Sequence, residues 1–298
     1  MRAENHAPAR APLDAAALRS RAVRPGGLWR EIEVVEGTGS TNADLLARAL
    51  RGEPEGTVLA AEEQRAGRGR MGRTWTSPPR AALTFSLLLK PAVPPARRGW
   101  LPLLTGVAVA AAVTRATGVE TGLKWPNDLL AADAKLAGIL AEAAGDAVVV
   151  GIGLNVSTEP AEFPSPRPGA LPATSLRAAG ATALNREDIL LAILEGFERW
   201  YRGWQQAGGD PDRSGLRPGY TRLSATIGRT VFTSRPSMRW PVSRMFQRTI
   251  LASSSLKTLP TCCLGCGGFS TPSGQKCAMT LALAASTALC RSAFCGMA

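Results

Sequence analysis

Cysteine is absent from the first 261 residues of this 298-residue chain; all six cysteines fall between Cys262 and Cys295. Nothing marks the chain as secreted, so a disulfide framework is not expected. Cys263 and Cys266 form one CxxC, but no second pair with zinc-ligand spacing follows, and the single histidine, His6, is remote in sequence. No confident metal ligand set can therefore be assigned. Long apolar runs are also missing. The longest, over residues 101–113, is too short to span a bilayer. Residues 15–18 are followed at once by Arg19 and Arg21, so the N-terminus has no signal-peptide apolar region. The expectation is a cytoplasmic protein with no membrane partner. Acidic residues are absent from 232–298, which holds seven of the 35 lysines and arginines. More than half of the formal charge of +12 therefore sits in that tail, and the charge gives no reason to expect a specific DNA partner.

What is present suffices for a core, since 45% of residues are apolar. Residues 1–28 are rich in Ala, Arg and Pro and read as a disordered leader with at most a short helix over 15–21. Strands are expected at 30–35, 57–61, 82–89, 122–125, 136–142 and 147–154. Helices are expected at 43–50, 99–116 and 185–206. In the last of these, Ile189, Ile193, Phe197, Trp200 and Trp204 make a continuous stripe that reads as core packing. Strands interleaved with helices on this scale imply an α+β or α/β domain over residues 29–231.

Four segments carry chemistry. In Gly67-Arg68-Gly69-Arg70-Met71-Gly72-Arg73-Thr74-Trp75, glycines let the backbone approach an anion and arginines supply a planar donor fork for phosphate oxygens. A solvated basic loop or an RGG-like nucleic-acid contact would look the same. Lys124-Trp125-Pro126-Asn127-Asp128 is followed by Lys135-Leu136-Ala137-Gly138-Ile139-Leu140. Two lysines on paired strands can point into one cleft and stabilise an anionic transition state. Asp128 is a candidate magnesium contact, and Asn127 can read a base edge or ribose. Gly39-Ser40-Thr41-Asn42 offers hydroxyls to a small polar ligand, or a plain helix cap. Gly151-Ile152-Gly153-Leu154-Asn155-Val156 ends a buried strand with glycines on which a flat ligand can press.

In this order and spacing the segments resemble the biotin–protein ligase family, over residues 29–231. The resemblance implies a catalytic domain of the class II aminoacyl-tRNA-synthetase-like type, α+β with a mixed sheet. It implies an ATP-dependent ligase that forms biotinyl-5'-AMP and passes biotin to a lysine of a biotin carboxyl carrier protein, as in acetyl-CoA carboxylase. Biotin and ATP are then substrates and Mg²⁺ an expected companion. By residue-to-residue match, Ser40, Thr41, Asn42, Gln64, Arg68, Gly69, Arg70, Lys135 and Gly138 fall on the biotin side. Gly67, Arg68, Arg70, Arg73, Trp75, Asn127, Asp128 and Asn155 fall on the ATP or adenylate side. Lys135, Arg70 and Lys124 are the expected catalytic cations. Met71 stands where the family often has another basic residue. No enzyme nucleophile is needed, in keeping with the absence of cysteine and histidine from residues 29–231.

The resemblance stops near Val231. The family's small C-terminal β-barrel is expected to be absent or disrupted here. The atypical Cys-rich tail, 232–298, reads as a frameshifted or mis-annotated segment, disordered or loosely collapsed. A genuine cysteine-rich extension is the alternative. Too few residues precede the first strand for a helix-turn-helix domain. The runner-up functions are a lipoate or octanoate transferase of the same fold, a nucleic-acid binder using the Gly/Arg loop, and a truncated, inactive ligase. Family members are often homodimers through the sheet, and the resemblance extends that expectation to this chain.

Overall fold

The computed structural model describes residues 10–166, 169–227, 230–232 and 278–280. The expectations for the tail and for the missing barrel lie outside the described residues. The exception is a short antiparallel pair, Thr230–Phe232 with Ala278–Thr280.

The domain is built on a seven-stranded mixed sheet. In chain order the elements are α1 (Ala15–Ala22), β1 (Glu31–Val35), α2 (Thr41–Leu50), β2 (Thr57–Ala61), β3 (Ala82–Leu89), α3 (Leu101–Thr117), β4 (Thr121–Lys124), β5 (Asp128–Ala131), β6 (Ala134–Ala144), β7 (Ala147–Asn155), α4 (Arg186–Gln206) and α5 (Leu216–Leu223). The strand order is β1-β2-β3-β7-β6-β5-β4. Only β1 and β2 run parallel; every other neighbouring pair is antiparallel.

Side-chain alternation divides the sheet into two faces. Leu83, Phe85, Leu87 and Leu89 of β3, with Val148, Val150, Ile152 and Leu154 of β7, belong to the main core shared with α3 and α4. On the opposite face Leu45 of α2 packs with Leu59, Leu88, Ala147 and Val149. With both faces covered, every residue of β3 is buried. The segment Pro95–Thr117 is long and apolar enough to cross a membrane by length and composition, but 72% of its apolar window is buried in the domain. It is a core helix packed on α4 and on the sheet.

Residues 10–28 differ from the expected disordered leader. Asp14 caps α1 by accepting from the backbone N–H groups of Ala16 and Ala17. Leu13, Leu18, Ala22 and Leu28 join the main core. The segment is fastened at a buried ion pair between Glu62, at the end of β2, and Arg186, at the start of α4 (2.5 Å). The Leu13 N–H donates to Glu62 Oε1 (2.6 Å), and Arg186 Nη2 donates to the Ala11 carbonyl (2.6 Å). Composition hides this, because one leucine in the helix and two flanking it suffice once tertiary partners exist.

Two further differences concern a strand and a helix start. The 122–142 region holds three strands where two were expected, with β5 between β4 and β6. Helix α2 begins at Thr41, two residues before the expected start. Ser40 is its N-cap, so the side chains of Thr41 and Asn42 in the first turn are carried down onto the sheet, where both are buried.

Candidate active site

A cavity opens on the α2 side of the sheet, its space and open mouth together about 690 Å³. Its floor is a cross-strand row. Asp128 of β5 pairs with Gly138 of β6, Gly138 with Gly153 of β7, and Gly153 with Thr84 of β3. The next row on the same face runs Leu140, Gly151, Ser86. The glycines are there because neighbours press on the backbone. A Cβ at Gly153 would stand 2.3 Å from Trp75 Cε2, and one at Gly151 would stand 2.2 Å from Asn42 Oδ1. The flat group expected on this strand end is thus the protein's own indole, lying over the β6–β7 glycine pair. Its Nε1 is buried without a hydrogen-bond partner.

The Gly/Arg segment forms a small hairpin over the cavity. Trp75 N–H donates to the Gly67 carbonyl (2.9 Å), Gly69 N–H to the Arg73 carbonyl (2.6 Å), and Arg68 and Thr74 form a bridge. Gly67 is needed at the neck, where a Cβ would lie 2.4 Å from the Trp75 carbonyl oxygen. Met71 is at the tip, 85% exposed, with a left-handed φ of 58°. Arg68, Arg70 and Arg73 line the cavity, and Arg70 and Arg73 form no ion pair among the described residues.

The neutral wall comes from α2 and β3. Gln64 Oε1 accepts from the Thr41 N–H (2.8 Å). Ser86 Oγ, wholly buried, donates to Asn42 Oδ1 (2.6 Å) and lies 2.7 Å from Thr41 Oγ1. Asn42 Nδ2 donates to the Leu140 carbonyl (3.2 Å) and to Glu142 Oε2 (2.8 Å).

The cationic wall centres on Lys135. Its Nζ is 2.8 Å from Asp128 Oδ1 and 5.9 Å from the centroid of the Trp75 ring. Its backbone is pinned by the segment that links β7 to α4, Lys135 N–H to the Pro172 carbonyl (2.7 Å) and Thr174 N–H to the Lys135 carbonyl (2.9 Å). Asn127 lines the same side and holds the Ile139 carbonyl through Nδ2 (3.0 Å). Four basic side chains and one acidic side chain line the cavity, which therefore suits a ligand with several negative charges.

The structure gathers most of the sequence-derived site. Ser40, Thr41, Asn42, Gln64, Arg68, Gly69, Arg70, Arg73, Trp75, Asn127, Asp128, Lys135 and Gly138 all line the one cavity. Three positions do not. Gly67 is at the hairpin neck. Lys124 shares its row with Asp128 but lies on β4 at the sheet edge, with β5 separating it from the strand of Lys135, so the two lysines are not on paired strands. Asn155 is buried and donates to the Thr174 carbonyl (2.9 Å), thereby bracing the segment that holds Lys135. Sequence reading missed Thr84, Ser86 and Glu142. The first two were visible as polar residues at period two inside an apolar strand; Glu142 was visible as the continuation of the Gly138, Leu140 face.

Residues 35–158 match the model of the Biotin/lipoate A/B protein ligase family. The chain is 44% identical over 232 residues to a biotin–[acetyl-CoA-carboxylase] ligase of Mycobacterium tuberculosis, covering 76% of this chain and 83% of that relative. The chain belongs to the biotin protein ligase family. Among other members, a bifunctional ligase/repressor of Bacillus subtilis is 37% identical over 184 residues, 60% of this chain but 55% of its own length. The biotin protein ligase of Aquifex aeolicus, solved in complex with biotin and ATP, superposes with a TM-score of 0.58 at 28% identity, covering 68% of this chain and 82% of that one. The mixed sheet and its helices are those of this family's catalytic domain.

Proposed function

We propose that this chain is an ATP-dependent biotin–protein ligase whose substrate is the carboxyl carrier protein of a biotin-dependent carboxylase such as acetyl-CoA carboxylase. The observation that carries the reading is the pairing, in one cavity, of a neutral hydrogen-bonding wall with a cationic wall. The first suits the uncharged polar ring of biotin; the second suits a carboxylate meeting a triphosphate.

A carboxylate is a poor acyl donor and must be activated. Its oxygen attacks the α-phosphate of ATP, the bond to the β-phosphate oxygen breaks, and pyrophosphate leaves with the electron pair. Bringing two anions together is costly, and Lys135, Arg68, Arg70 and Arg73 offset the repulsion. Asp128 orients the Lys135 ammonium through the 2.8 Å contact. The amine of a carrier lysine then attacks the acyl carbon, loses a proton, and expels AMP. The hairpin above the cavity shields the mixed anhydride from water.

Magnesium has no resident cage here. The cavity offers one carboxylate, Asp128, already paired with Lys135, and the described residues contain no cluster of three or more His, Cys, Asp or Glu able to hold a metal. A magnesium ion would arrive on the nucleotide phosphates, its usual partners in such sites, and no step above is routed through it. The site roles named here, Asp128 included, are tested by measuring pyrophosphate release from ATP with biotin, lipoate or octanoate as the acid. Release with biotin alone supports the reading; release with lipoate or octanoate in preference assigns the cavity to the sister activity.

A further inference from the structure

We propose that Glu142 is a positioning residue that fixes the hydrogen-bond polarity of the neutral wall and couples that wall to Arg68 of the hairpin. The proposal rests on the reading of the cavity as a biotin site.

Glu142 lies on β6 two residues beyond Leu140 and four beyond Gly138, so its side chain is on the cavity face. Its Oε2 accepts from Asn42 Nδ2 (2.8 Å) and lies 3.3 Å from Arg68 Nη2. A carboxylate accepts only, and this sets every proton behind it. Asn42 must turn its amide nitrogen toward Glu142 and the Leu140 carbonyl, which leaves Oδ1 facing Ser86. Ser86 has a single proton and must give it to Asn42. Thr41 must then donate to Ser86, since two lone pairs would otherwise meet at 2.7 Å, and it shares that one proton with the more distant Gln64 Oε1 at 3.1 Å.

The protons therefore run one way, from Thr41 through Ser86 and Asn42 to Glu142. The Thr41 hydroxyl is left with lone pairs for an incoming ligand. Gln64 has its Oε1 occupied by the Thr41 N–H and hydroxyl, so its amide nitrogen is the end with no partner among the described residues. The wall thus offers one acceptor beside one donor, which matches a ligand ring carrying N–H next to C=O. The same carboxylate holds Arg68, the one hairpin arginine paired among the described residues, so the wall and the hairpin share an anchor. Nothing in the reaction requires Glu142 to touch a reacting atom.

The test uses the full chain and two variants. Biotin Kd is measured by calorimetry, and trypsin cleavage within residues 68–73 is followed alongside the thermal midpoint. Glu142→Ala removes both contacts: biotin Kd is expected to rise about tenfold, the usual effect of losing a hydrogen bond to a charged acceptor. Glu142→Gln keeps an acceptor oxygen for Asn42 and loses the ion pair. Its biotin Kd is expected to stay within about threefold of the parent, while hairpin cleavage accelerates by about threefold in both variants, the scale of one exposed ion pair. A merely structural role would lower the midpoint in both variants and leave biotin Kd and cleavage unmoved, and that result overturns the proposal. A parent chain that binds no biotin overturns the functional reading and this proposal with it; a parent that binds biotin with an unchanged Glu142→Ala overturns this proposal alone.

Discussion

Alanine at Gly153 is the substitution whose consequence the floor of the cavity defines best. The new methyl would stand 2.3 Å from Cε2 and 2.6 Å from Cζ2 of Trp75, where ordinary contact begins at 3.4 Å. The indole must lift by roughly 1 Å, because the methyl is fixed to the middle of a sheet. Gly153 is not among the positive-φ glycines, so alanine is otherwise permitted and the cost falls on Trp75 rather than on the backbone. Overpacking of this kind costs about 1–3 kcal/mol. A displacement of about 1 Å near reacting groups lowers turnover by as much as about 100-fold. The expected outcome is a 10- to 100-fold fall, in order of magnitude, in kcat/KM for biotin-dependent AMP formation. The thermal midpoint should fall by about 2–12 °C, at about 2–4 °C per kcal/mol for a domain of this size. Gly196→Ala is the control. It sits inside α4 with its nearest neighbour at 3.6 Å, so the midpoint should hold or rise and activity should not change. Wild-type kcat/KM and midpoint in Gly153→Ala would show that the indole is not seated on this glycine.

Three other outcomes follow from the same geometry. Glu62→Ala leaves the Arg186 guanidinium buried without its carboxylate and frees the Leu13 N–H, so unfolding in denaturant should show a loss of about 3–5 kcal/mol. Lys135→Ala removes the ammonium from the cavity and should lower kcat for pyrophosphate release by about 10²–10³-fold. Lys124→Ala, at the sheet edge, should cost under about tenfold in the same assay; equal losses would place both lysines on the reaction. Hydrogen bonding to Arg48 holds the Glu33 carboxyl below its ordinary value of 4.5, and hydrogen bonding to Arg10 does the same for Glu162. A depressed carboxyl pKa contributes stability that is complete above the unfolded value and lost as pH falls through the folded one. Glu33→Gln and Glu162→Gln should therefore lower the thermal midpoint at pH 7, and the difference from the parent should shrink as pH falls from 4.5 through the depressed folded values; a difference that does not change with pH contradicts the ion-pair account.

The fold was legible where local pattern and tertiary role agree. β2 and β3 fall at their expected limits because apolar runs bounded by turns have one way to be buried. The stripe of α4 packs as expected through Ile189, Ile193, Phe197 and Trp204. The site was legible because its residues come in short blocks with unusual chemistry, glycine beside arginine and lysine beside asparagine. What was hidden depends on partners distant in sequence. α1 has little amphipathic pattern, and the residues just before it, Ala11 and Leu13, are held by Arg186 and Glu62, which no local window places beside them. The strand β5 is four residues long and could not be separated from its turns, so the two lysines were put one strand too close. The glycines of β7 were read as room for a ligand, whereas Asn42 and Trp75, more than seventy residues earlier, fill that room.

Mass analysis of the small molecules formed when the full chain meets ATP and biotin, with no carrier present, tests the central claim most directly. The account predicts a biotin–AMP mixed anhydride that stays on the protein and disappears when carrier is added, with one carrier lysine gaining the biotinyl group. ATP left intact under these conditions, or an adenylate formed only with lipoate or octanoate, would contradict it.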